Sequence, residues 1–200
     1  MTPEQIAQAY DQITHLWTRS GFNLNNGIGA HQQAISLCQN KGMALDIGCG
    51  CTGRFIRLLQ QNGFEVEGVD LSLKMLEIAR KSMPDVTFHQ QDICTWKSSG
   101  TYDFISAWDC LWHVPLDQQA SVIAKLLGWL NKGGVMIFSF GALEHASEHT
   151  DASMGPELYY ATLGKQRTFE VIEQADCKVA YFESDQAPEL HSFVIAQKVS

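Results

Sequence analysis

Short apolar runs along this chain alternate with stretches in which apolar residues recur every three or four positions, the mark of parallel strands joined by helical crossovers. The segments near Ala44–Ile47, Glu65–Val69, Val86–His89 and Phe104–Ala107 read as strands, as does V-M-I-F-S-F after Asn131-Lys132-Gly133-Gly134. Helices are predicted between them near Arg54–Gln61, Ser72–Lys81 and Asp117–Leu130, the last stopped by glycine. Upstream, Thr2-Pro3-Glu4-Gln5 combines an N-cap, a proline at the first helical position and a glutamine at the capping-box position, which predicts a helix to about Ser20. The turn-rich G-F-N-L-N-N-G-I-G separates it from a second helix expected over Ala30–Gln39. Residues 141–167 lack clean periodicity and are expected to form a lid with a broken helix inside. A helix near Phe169–Ala175 and the runs V-A-Y-F-E and S-F-V-I-A then predict a closing antiparallel hairpin.

This alternation sets the class as α/β, and 200 residues suit a single domain, enough to bury roughly 70 % of the unfolded surface. A net charge of -8 with only 14 Lys plus Arg argues against broad contact with phosphate backbones, so nucleic acid is not an expected partner. Without an apolar run near ~18 residues, no membrane span is expected either. The six cysteines form no C-x-x-C pair and no signal-like segment opens the chain, from which a reducing, cytoplasmic setting is expected.

The chemistry concentrates between Met43 and Leu59, in M-A-L-D-I-G-C-G-C-T-G-R-F-I-R-L-L. A strand, a glycine loop and a helix start in that order bring backbone N–H groups up to a nucleotide-like ligand. Asp46 stands before the first glycine and Asp70 closes the next strand, and two acids flanking one loop suit hydroxyls and an amine better than a pyrophosphate. Taken literally, Gly48-x-Gly50-x-x-Gly53 with Asp70 downstream is also the nicotinamide-dinucleotide fingerprint. Asp46, the Q-D-I at 91–93 and the lack of room for a dehydrogenase's substrate domain weigh the other way.

Together these residues resemble the class I S-adenosylmethionine-dependent methyltransferases, over roughly Ala44 to Val199. The resemblance implies a Rossmann-like, doubly wound, mostly parallel sheet of seven strands with the last antiparallel, preceded here by N-terminal helices. Residues 1–200 would form one domain: a helical cap (1–40), a cofactor-binding core (41–140), a lid and acceptor loop (141–167), and a closing helix and hairpin (168–200). By the same resemblance Asp46 approaches the methionine end of the cofactor while Gly48, Cys49 and Gly50 pass their backbone against it. Asp70 accepts both ribose hydroxyls, Asp92 meets the adenine amino group, Ile93 offers its backbone N–H, and Leu71 and Met75 cover the ring. Ala107 and Trp108 lie beside the methionine and the sulfonium. Many members read G-C-G-T-G where this chain has G-C-G-C-T-G, so no role is carried over to Thr52 or Gly53.

The implied activity is methyl transfer from S-adenosylmethionine to a small-molecule acceptor, leaving S-adenosylhomocysteine. A nicotinamide oxidoreductase and a non-catalytic, cofactor-binding regulatory module are the alternatives. His113, in A-W-D-C-L-W-H-V-P, is the candidate base should the acceptor lose a proton, or else it bonds a loop carbonyl. Trp17, Trp112, Trp108 and Phe22 are candidates to wall the acceptor pocket, and His31 to reach it from the second helix. Asp109 either binds an acceptor amine or caps the following turn. His145-Ala146-Ser147-Glu148-His149 fits the H-x-x-E-H zinc pattern, but it falls in the expected lid, and no metal is assigned. Cys49 and Cys51 at a helix start are read as small residues tolerated by a tight turn.

Overall fold

A computed structural model of the protein describes residues 1–186 and 190–199. Its sheet holds β1 (Met43–Ile47), β2 (Glu65–Asp70), β3 (Thr87–Gln90), β4 (Tyr102–Ala107), β5 (Leu130–Gly141), β8 (Cys177–Ser184) and β9 (His191–Lys198). The strand order is β3-β2-β1-β4-β5-β9-β8, with β9 antiparallel to both neighbours and the other pairings parallel. This is the expected seven-stranded, Rossmann-like arrangement.

Two-residue alternation sends successive side chains to opposite faces. Leu45 and Ile47 of β1, with Ile105 and Ala107 of β4, pack against α6 (Leu116–Gly128) and α7 (Lys165–Gln174). Ala44, Phe104, Val66 and Ile137 pack on the other face against α3 (Ile28–Leu37), α4 (Arg54–Gln61) and α5 (Leu73–Ser82). Chain winding reverses at β1: β2 and β3 lie on one side and β4 and β5 on the other. A crevice therefore opens beyond the C-terminal ends of β1 and β4, the usual ligand position in such sheets.

Two expectations need correction. The helix predicted to run to Ser20 stops as α1 (Pro3–Gln12), and a separate turn, α2 (His15–Thr18), follows. The capping box forms as read, with Thr2 and Gln5 exchanging bonds of 2.8 and 3.3 Å. Turning at Ile13 buries that side chain and brings the Trp17 ring to 5.3 Å from Tyr10. In a straight helix seven residues would separate them by about 10 Å along the axis.

The second correction concerns residues 141–167, which hold no helix but a two-stranded antiparallel hairpin, β6 (Ser147–Asp151) and β7 (Leu158–Thr162). Every residue of β6 is exposed, so no alternation marks it as a strand; its partner β7 supplies the buried side chains, packing Leu158, Tyr159 and Ala161 with Ile6 and Ala9 of α1. Helix α1 and the hairpin thus roof the crevice together. Among the described residues no helix is long and apolar enough to cross a membrane.

Candidate active site

A cavity of about 370 Å³ fills the crevice, with the glycine loop as one wall. Gly48 takes φ +62°, and a Cβ there would lie 2.4 Å from the Cβ of Cys110, so only glycine fits. Gly50, at φ +56°, has no atom within 4 Å of where its Cβ would stand, leaving the main chain bare. The Cys49 N–H donates to the Val69 carbonyl at 3.0 Å and the Gly50 N–H to Asp70 Oδ2 at 2.9 Å. Two N–H groups of the loop are therefore already engaged.

Asp70 also accepts from Ser72 N at 2.8 Å, so its carboxylate plane is fixed by two backbone donors. Burial raises its pKa, opposed by those same bonds. Asp46 is almost fully buried in β1, level with Gly68 and Ser106 on the adjoining strands. Burial pushes its carboxyl up to about 7, against the lowering pull of the Ser106 hydroxyl and of Arg54. Arg54 opens α4 with its guanidinium over Phe55 and 3.7 Å from Asp109, and it is the one lysine or arginine among the described residues lining the cavity. Farther along, Asp92 Oδ1 accepts the Cys94 N–H at 2.8 Å, and Lys125 from α6 reaches the Ile93, Cys94 and Trp96 carbonyls, which fixes this turn beside Leu71 and Met75.

The opposite wall is assembled from side chains. His113 Nδ1 faces the Tyr159 carbonyl at 2.7 Å, and because a carbonyl only accepts, that nitrogen carries the proton. Nε2 then accepts, taking Tyr10 Oη at 2.7 Å and the Trp112 indole N–H at 3.1 Å. Burial lowers the His113 pKa to about 4, so the ring is neutral near pH 7. Asp109 adopts φ +57°, its N–H 2.7 Å from Ser139 Oγ. Its Oδ1 lies 2.9 Å from His191 Nε2, while His191 Nδ1 meets Asp185. Burial pulls the His191 pKa down, but the bonds to the two carboxylates outweigh it and raise it.

Of the residues singled out from sequence, Asp46, Gly48, Cys49, Gly50, Asp70, Leu71, Met75, Asp92, Ile93 and Trp108 line this cavity, as do Trp17, Asp109, Trp112 and His113. Two do not. Ala107 is fully buried on the α6–α7 face, the side of β4 away from Trp108. His31 is also fully buried: its ring stacks on Phe55 at 3.7 Å, Nδ1 donates to the Gly27 carbonyl at 2.8 Å, and Nε2 lies 3.0 Å from Ser106 Oγ. It is a satisfied core histidine. Missed were Tyr10, Arg54, Tyr160 and His191, all lining the cavity; only Arg54, inside the glycine motif, carried a local signal. The H-x-x-E-H stretch enters strand β6, where His149 stacks on Tyr160, so the spacing does not bring its histidines onto one helical face.

A family profile described as a methyltransferase domain matches residues 29–174. An uncharacterized methyltransferase of Alkaliphilus oremlandii is 25% identical over 88% of this chain and 82% of its own length. A malonyl-[acyl-carrier protein] O-methyltransferase of Halalkalibacterium halodurans is 35% identical over 77% of this chain, which spans about half of that protein, 54%. Among solved structures, the N-methyltransferase NodS of Bradyrhizobium japonicum in complex with S-adenosyl-L-homocysteine shares the fold with a TM-score of 0.72 at 12% identity, covering 97% of this chain and 98% of that one. The residues present fit such a ligand: a fixed carboxylate for a diol, bare backbone at Gly50 for close approach, and one cation within an otherwise acidic wall. The chain belongs to the class I S-adenosylmethionine-dependent methyltransferases.

Proposed function

We propose that the protein methylates a small molecule held between the glycine-loop wall and the roof made by residues 1–40 and 141–167. The observation that carries this reading is the continuity of the cavity: Asp70 and Asp92 at one end and Trp112, His113 and Tyr160 at the other line a single space. A roofed cavity of about 370 Å³ suits a small ligand rather than a folded chain.

When bound, S-adenosylmethionine supplies a methyl group on positively charged sulfur, already activated for displacement. Asp70 accepts the ribose hydroxyls on the lone pairs that Gly50 and Ser72 leave free. Asp92 and the Ile93 N–H receive the adenine edge, with Leu71 and Met75 against its faces. Asp46 meets the ammonium of the amino-acid tail, Arg54 its carboxylate, and Trp108 the neighbourhood of the sulfonium. Trp17, Trp112 and Tyr160 wall the acceptor. His113 serves as base through Tyr10, whose hydroxyl already bonds its Nε2. Alignment of acceptor and methyl group can supply up to ~7–11 kcal/mol.

Calorimetry with S-adenosylhomocysteine and reduced nicotinamide dinucleotide tests the cofactor half: heat with the first and none with the second is expected, and the reverse overturns the reading. A protein that binds S-adenosylhomocysteine yet releases no methyl group to any of a broad acceptor panel would instead be a cofactor-sensing module.

A further inference from the structure

Around Asp109, the hydrogen-bonding capacity left on His191, His113, Tyr10 and Gln186 is chiefly capacity to accept. Both ring nitrogens of His191 face carboxylates, Asp109 at 2.9 Å and Asp185, and carboxylates only accept, so both nitrogens carry protons and both donors are spent. His113 has given its Nδ1–H to Tyr159 and uses its Nε2 lone pair on Tyr10 and Trp112. Tyr10 has thereby committed its only proton and keeps a lone pair. Gln186 donates from its amide to Asp185 at 3.2 Å and retains its carbonyl oxygen. Tyr10, Asp109 and Gln186 all line the cavity, and the Asp109 side chain is 35% exposed. What these three offer a ligand is chiefly acceptors. Donors also remain on the lining: Arg54, 3.7 Å from Asp109, and the Trp108 indole N–H, which has no partner among the described residues.

Backbone geometry marks the same wall. Three non-glycine residues among those described have left-handed φ, and two of them, Asp109 at +57° and Gln186 at +60°, line this cavity. L side chains adopt that conformation at a cost and keep it where their surroundings over-determine it. Here His191 does so, tying Asp109 to Asp185, the neighbour of Gln186.

We propose that the acceptor presents an amine, received by the Asp109 carboxylate, with His191 and Asp185 as the positioning residues that hold Asp109. The proposal rests on the methyl-transfer reading above and deepens it. An ammonium group entering the site gives up one proton to Tyr10 Oη as the tyrosine's own proton passes to His113 Nε2. The freed nitrogen lone pair then forms the N–C bond to the methyl carbon, the C–S bond breaks, and its electron pair stays on sulfur. The products are an N-methylammonium, a thioether and one released proton. A carboxylate acceptor placed at the same point would face Asp109.

The full-length protein, saturated with S-adenosylhomocysteine, is titrated with 2-phenylethylamine and with 3-phenylpropionate while tryptophan fluorescence is followed. The two are alike in size and opposite in charge. Each is also offered with S-adenosylmethionine, and the methylated product is weighed by mass spectrometry. The amine is expected to bind and gain one methyl group, and the carboxylate to do neither, a comparison that needs no variant to fold. Asp109→Asn should weaken amine binding by about 10–100-fold and S-adenosylhomocysteine affinity by less, since Asp109 also faces Arg54. His191→Gln should raise the amine KM about tenfold and move kcat less, a split that general loosening of the fold would not give. Tighter binding of the carboxylate, or binding of neither probe, overturns the proposal while the cofactor reading stands. Failure of the wild type to bind S-adenosylhomocysteine overturns that reading instead.

Discussion

The two walls of the cavity are built by different means. The glycine-loop wall comes from one continuous stretch, β1 through the start of α5, and its bonds run to backbone: Cys49 to Val69, Gly50 and Ser72 to Asp70. The acceptor wall gathers Tyr10 from α1, Asp109 and His113 from the segment after β4, Tyr160 from β7 and His191 from β9, linked largely side chain to side chain. A wall made of main chain constrains shape and tolerates many sequences, consistent with a shared fold at 12% identity to NodS. A wall made of dispersed side chains can be exchanged one contact at a time, and it is where specificity resides.

Asp70→Ala should give the largest effect and the sharpest contrast between the walls. It removes the proposed ribose acceptor and leaves the Gly50 and Ser72 N–H groups without a partner. Affinity for S-adenosylhomocysteine is expected to fall by at least ~100-fold, each charged hydrogen bond being worth roughly 1.5–3 kcal/mol. Unchanged affinity by calorimetry would mean that another acid holds the sugar, and the division drawn between the walls would fail.

Next in size is a pair of glycine substitutions within the loop. Gly48→Ala forces a Cβ to 2.4 Å from Cys110 at a positive φ, so thermal unfolding should show a loss of about 2–3 kcal/mol. Gly50→Ala meets open space and bears only the conformational penalty, about 1 kcal/mol, while its methyl group would intrude on the proposed cofactor position. Equal stability losses in the two variants would show that the loop is less tightly defined than its geometry indicates.

Legibility in the sequence followed this same division. Glycine at a fixed position between an apolar strand and a helix is a local requirement, so Asp46, Gly48, Gly50 and Asp70 could be read directly, and the parallel strands with helical crossovers followed from strand and helix alternation. Tyr10 and His191 could not, since no periodicity distinguishes a tyrosine in α1 that will meet a histidine 103 positions later. His31 misled for the opposite reason: a polar residue on an apolar helix looks functional until Ser106, on a strand far along the chain, is seen to satisfy it. Strand β6 was invisible because all five of its residues are exposed.

The pH dependence of stability probes the acceptor wall. His113 has its pKa lowered from 6.5 to about 4 by burial, so between those values the unfolded chain binds a proton that the folded protein does not. Stability contributed by neutral His113 is therefore complete above pH 6.5 and lost as pH falls towards about 4. Asp46, raised from 3.8 to about 7, acts with the opposite sign, and His31, lowered to about 3, with the same sign as His113. The informative quantity is thus the gap between wild type and His113→Gln, which should narrow by about 3 kcal/mol on acidification across that window. A gap independent of pH in urea titrations would show that His113 is hydrated and accessible to protons.

Tyr10→Phe is the mildest change and separates packing from chemistry on the acceptor wall. The ring stays against Trp17 and His113, 5.3 Å from each, and only the hydroxyl that bonds Nε2 is removed. His113 keeps its Tyr159 and Trp112 partners, so its orientation should survive. A full general base contributes about 10²–10⁴-fold, but a water can take the hydroxyl's place, so turnover should fall only about tenfold. Affinity for S-adenosylhomocysteine should stay unchanged, because the contacts proposed for the cofactor belong to the other wall. A parallel fall in both quantities would mean that α1 senses the cofactor as much as the acceptor, since Asp11, the next residue, bonds Ser72 Oγ and the Lys74 N–H beside Asp70.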